Sequence, residues 1–266
     1  MSDESTVGRV TPYEVVFGEA RFAEQEFPAI AEEAKRRGVS VWRYDRFTLL
    51  ERVSALLAEV LLEEAGPAAV DQHLQILYHA YHFWCAGCSL YAFEAPVVRS
   101  LIESAPDLGG WSFRIPQPSL YVELPKNLFW AQVTEDEPPE PVDGMFVARE
   151  PDQPIAELEL LIVLGIRSER PGFSVAGLRL EPGRARELDE AAAFQSNIPG
   201  ADLAGLYSLQ RYSEAAVLAL RTLWYIDACP AACERVRGGG VPEFPGHGGP
   251  TALDHVRVSL IEGSCQ

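Results

Sequence analysis

Ile155-Ala-Glu-Leu-Glu-Leu-Leu-Ile-Val-Leu-Gly-Ile166, followed closely by Phe173-Ser-Val-Ala-Gly-Leu-Arg-Leu180, is the stretch on which the fold turns. Leucine and β-branched residues crowd into short runs that proline and glycine interrupt, which is strand texture rather than helix texture. The same texture starts at Trp111, and it predicts strands over Ser119 to Leu124, Leu128 to Val133, Met145 to Arg149, Ile155 to Ile166 and Phe173 to Leu180. Few residues link one run to the next. Short links suit antiparallel neighbours, whereas a parallel crossover needs a dozen residues or more, so the runs predict a meander-like sheet. Glu157 and Glu159 fall on one face of their strand and read as its solvated end. Thr134 to Pro141, acidic and proline-rich, reads as an exposed loop, and Asp143-Gly144 as a tight turn.

Helical texture lies on both sides of this block. From about Arg21 to Ser104 the chain is rich in Glu, Ala and Leu, with breaks at Gly38, at Ala65-Gly66-Pro67 and near Gly87. Thr48 to Leu61 and Leu74 to Tyr81 each carry an apolar stripe at helical spacing, which predicts an antiparallel helix pair. Helix returns from Gly183 to about Arg237, strongest over Tyr212 to Asp227. Gly238 to Thr251 reads as a connection, and the alternation of His255-Val-Arg-Val-Ser-Leu-Ile261 predicts a last strand added to the sheet. The expected class is α+β: an N-terminal helical module over residues 1–110, then a sheet-and-helix module over 111–266, the two separate or packed as one compact domain.

A chain of 266 residues, 47% hydrophobic and 23% charged, can bury a substantial core. Its net charge of -17 repels phosphate backbones and disfavours nucleic acid and anionic membrane as partners. Lys35-Arg36-Arg37 is the nearest thing to a basic patch, and it reads as the cationic end of an acidic helix. The longest apolar run, Leu158 to Ile166, is too short to span a bilayer as a helix. The polar, acidic N-terminus has no secretory pattern, so the expected setting is the cytoplasm, where five cysteines imply free thiols, a metal site or burial rather than a disulfide framework.

Three constellations could carry chemistry. The first is His73-Leu-Gln-Ile-Leu-Tyr-His79-Ala-Tyr-His82-Phe-Trp-Cys85-Ala-Gly-Cys88, dense in the ligand types that hold zinc and iron. His79, His82, Cys85 and Cys88 precess by about 60° per step on a helix, so they cannot all converge, and further ligands would have to come from Cys229-Pro-Ala-Ala-Cys233. There, proline could open a new helix and place both thiols near its start. Cys85, Cys88, Cys229 and Cys233, with His82 in addition, would suit zinc or an iron–sulfur cluster, or a thiol-dependent enzyme. The competing reading is that these side chains are buried packing elements.

The second constellation is aromatic: Tyr121, Phe129, Trp130 and Phe146 could line a binding surface beside the acidic loop. The third consists of Glu123 and Asp143, two carboxylates that could serve as acid and base in the same cleft. No nucleophile elbow, metalloprotease helix or phosphate loop accompanies them, so whether the chain is an enzyme stays open. The favoured expectation is a binding or protein-interaction module, with a protein as partner and self-association as an option. The alternative is a metalloprotein or thiol enzyme.

Overall fold

The computed structural model describes residues 27–38, 40, 66–103, 115–131, 140–149, 158–165, 174–180, 195–196, 206–237 and 255–261. Helices α1 (Phe27–Arg37), α2 (Gly66–Cys85) and α3 (Ala95–Glu103) precede most of the sheet, and α4 (Leu206–Ala228) follows its centre. The strands are β1 (Leu90–Phe93), β2 (Ser119–Glu123), β3 (Trp130–Ala131), β4 (Glu140–Ala148), β5 (Leu158–Leu164), β6 (Ser174–Leu180), β7 (Gln195–Ser196), β8 (Cys233–Val236) and β9 (His255–Val258). Among the described residues they form one nine-stranded sheet in the order β7-β6-β5-β4-β2-β1-β9-β8, with β3 pairing beside β4. The class is α+β, with helices toward the ends of the chain and sheet in its middle.

Loop length accounts for the pairing. The closely linked β4, β5 and β6 form an antiparallel meander, which β7 extends at the edge after a longer link. The two parallel pairs are β1 with β2, where the connection contains α3, and β1 with β9, where nearly the whole sheet intervenes in sequence. The expected last strand is therefore present, and it lies between β1 and the edge strand β8.

Four local expectations need correction. The helical texture assigned up to Ser104 is interrupted by β1, whose four residues are buried in the sheet interior. A run of four apolar residues between two helices has no period by which to tell strand from helix, and it is pairing on both sides that decides. Asp143-Gly144 does not end a strand: β4 passes through it, and the extra residue is absorbed by a register shift between Val142 and Gly144. β7 falls within the segment assigned to helix. Pro230 opens only a single 3-10 turn, Pro230–Ala232, after which the chain extends into β8. The stripe over Thr48 to Leu61, and with it the predicted helix pair, lies outside the described residues.

Strand pleat sorts the interior into two cores. Leu120, Val122, Met145, Val147, Leu160 and Ile162 point to one face and join residues of α3 and α4. Tyr121, Phe146, Leu161 and Val163 point to the other and join residues of α1 and α2. The sheet is thus covered on both faces, which is why β5 is buried almost throughout and reads as a continuous apolar run. Helix α2 comes close to the sheet at β6, where a Cβ on Gly177 would collide with the Gln75 side-chain amide. On the other layer, the Arg221 guanidinium of α4 donates to the carbonyl oxygens of Leu101 and Ile102 at 2.8 and 3.3 Å and so satisfies the end of α3. The basic last turn expected of α1 is present, and Arg37 pairs with Glu33 one turn earlier.

Candidate functional site

The aromatic constellation separates into core and surface. Tyr121 and Phe146 stand directly opposite each other on β2 and β4, their ring centroids 4.7 Å apart. Both are buried, and Phe146 also meets Phe83 edge-on at 5.4 Å and His79 at 6.3 Å. These rings hold α2 to the sheet. Phe129 packs partly buried against the opposite core.

Trp130 differs from the rest. It lies past the end of β2, on the two-residue strand β3, and 44% of its surface is exposed. The backbone around it is tied at several points: Leu128 N–H donates to Pro125 O, Val142 N–H donates to Phe129 O, and Trp130 pairs in register with Pro141 of β4. Asn127 adopts a left-handed φ of 60°, a conformation asparagine tolerates better than most residues, and its carbonyl oxygen accepts a hydrogen bond from Trp130 Nε1–H at 3.2 Å. The indole is therefore both exposed and held. Sequence reasoning found Trp130 but not Asn127, whose only signal is the turn composition of Pro125-Lys-Asn127.

The carboxylates become neighbours in the sheet. Glu123 pairs in register with Gly144, so Asp143 is the residue beside its cross-strand partner. Asp143 is almost fully buried at the register shift, and its carbonyl accepts from Leu124 N–H at 2.9 Å. Both carboxylate residues take part in interactions within the fold.

The cysteine and histidine cluster divides as well. His79 and His82 are buried on α2, with His82 4.3 Å from the Tyr78 ring and 5.7 Å from the Tyr81 ring. The helix ends where glycine was expected to end it. Gly87 N–H donates to Trp84 O and Cys88 N–H to Phe83 O, with Gly87 at φ 80°, the pattern of a Schellman stop. Cys88 follows at φ 55°. Burial pushes the Cys85 thiol up to about 11, and a hydrogen bond with Tyr81 offsets part of that rise.

Cys85 and Cys88 pack against the α2-side core, whereas Cys229 and Cys233 belong to the α4-side core. The sheet stands between the two pairs, so the fold does not bring the four sulfurs together. Cys85, Cys88 and Cys233 are thiols outside any disulfide, Cys229 is disulfide-bonded, and burial raises the Cys233 thiol. A disulfide sulfur is not a thiolate ligand. No group of three or more His, Cys, Asp or Glu residues is placed to hold a metal ion among the described residues. The residues nominated for zinc or an iron–sulfur cluster therefore do not fit either one as arranged here.

The architecture defines an α+β protein with a mixed sheet between helical layers. No helix among the described residues is long and apolar enough to cross a membrane. No family model matches the chain, and no curated protein matches it. Among solved structures, the crystal structure of AcrVA2 is similar over 94% of this chain and 85% of that chain, at a TM-score of 0.48 and 13% identity.

Proposed function

We propose that this chain is a protein-interaction module whose contact surface is organised around Trp130. One observation carries the reading: the aromatic side chains that serve cohesion, such as Tyr121 and Phe146, are buried to within about 1% of their surface, whereas Trp130 is 44% exposed and still fixed in place. Tryptophan offers a partner large contact area at little entropic cost, and it is enriched among the residues that dominate binding energy. Pre-fixing the ring through Nε1–H lowers that cost further. A cytoplasmic setting belongs to the same proposal. Three cysteines outside any disulfide suit a reducing compartment, and the disulfide at Cys229 is the feature that argues against it.

Trp130→Ala is the direct test. The position lies outside both cores, so the variant is expected to keep its circular dichroism spectrum and to lose about 1–3 kcal/mol of stability, from one hydrogen bond and the covered part of the indole. Partners recovered by the intact protein in pull-down are expected to be lost, with affinity down by about tenfold or more. A folded variant that retains every partner would remove the proposal.

A further inference from the structure

Resting on the reading of Trp130 as a contact residue, we infer that its partner surface is cationic: an arginine-bearing segment of another protein that lays a guanidinium on the indole ring. An indole can offer a partner three things, its N–H donor, its apolar bulk and the negative face of its π system. Here the donor is already engaged by Asn127 O. The free ring therefore has nothing to give an acceptor, and a carboxylate or phosphate placed against it would gain no hydrogen bond. A cation gains from the π face, and tryptophan is the best of the aromatic rings for this.

The charge of the whole molecule points the same way. Asp and Glu number 39 against 22 Lys and Arg, giving -17, and a field of that sign concentrates cations at the surface and repels acidic partners. Glu140 adds nothing to that field at the ring, because it pairs with Ala131, whose side chain takes the opposite face from Trp130, and its carboxylate lies against Gly165; the exposed Lys126 in the preceding turn opposes a cation with a single charge. Arginine is favoured over lysine because a planar, weakly hydrated guanidinium stacks on an aromatic face, whereas an ammonium must give up a tight water shell.

The test uses the full chain and three labelled peptides of equal length, carrying arginine, lysine or glutamate at the same positions, followed by fluorescence anisotropy at about 150 mM salt, where charges beyond roughly 8 Å are screened. The arginine peptide is expected to bind most tightly and the glutamate peptide not at all. Trp130→Ala is expected to weaken the arginine peptide by about threefold or more, in line with an exposed cation–π contact, and Trp130→Phe by less. Equal affinity of the intact protein and folded Trp130→Ala for the arginine peptide would reduce the effect to bulk charge and overturn the inference, as would no binding by the intact protein. Failure here is separable from failure of the module reading: a natural partner lost in Trp130→Ala but not competed by the arginine peptide keeps the module and removes the cation.

Discussion

At the residue scale, environment decides what each chemistry-bearing side chain can do. Tyr121, Trp130 and Phe146 look equivalent in sequence, but pleat and strand length place two in the core and one at the surface. Cys85 shows the same effect on a thiol. Burial holds its pKa near 11 against an ordinary 9.0, so at neutral pH it stays protonated. The thiolate is the nucleophile, and alkylation of Cys85 by iodoacetamide at pH 8 is expected to run well below the rate for the unfolded chain, rising as pH climbs toward 11. The linkage has a definite sign. Because the folded state keeps its proton where the unfolded chain has lost it, the stability from this group is complete below pH 9.0 and falls as pH rises through about 11. Mass spectrometry of the labelled peptide checks the first claim. Labelling at the unfolded rate at pH 8 would show that burial does not protect the thiol.

At the element scale, the sequence disclosed the meander better than its edges. Runs of β-branched and leucine residues with short links identified β2, β4, β5 and β6, because both texture and loop length are local properties. β1 escaped because its identity depends on partners far away in sequence, β2 on one side and β9 on the other. Asp143-Gly144 was misread for a related reason. The dipeptide has turn chemistry, but here glycine serves a close approach inside β4. A Cβ at Gly144 would collide with the Val122 carbonyl oxygen and stand 2.6 Å from the Tyr121 hydroxyl. The carbonyl belongs to a neighbouring strand and cannot rotate away. Gly144→Ala is therefore expected to destabilise by about 1–3 kcal/mol or more, the range for overpacking. Urea unfolding measures this directly, and a loss under about 0.5 kcal/mol would mean that β2 and β4 can separate without cost.

At the scale of the whole molecule, the layered arrangement governs both stability and the fate of the candidate sites. The sequence implied α+β, but it could not say that the helices divide between the two faces of the sheet, since that follows from crossovers rather than from any local pattern. The division is what parts Cys85 and Cys88 from Cys229 and Cys233. It also makes an unusual demand of β5, where the adjacent residues Leu160 and Leu161 face opposite cores and are both fully buried. In an antiparallel sheet with one face in water, truncating one of two neighbours is nearly free. Here Leu160→Ala and Leu161→Ala are each expected to cost about 2–5 kcal/mol, because either change removes buried methyl groups and leaves a cavity. Paired urea titrations decide it: two comparable losses support helical cover on both faces, whereas a loss under about 0.5 kcal/mol for Leu161→Ala would place that face in solvent and with it remove the packing of α2 on the sheet.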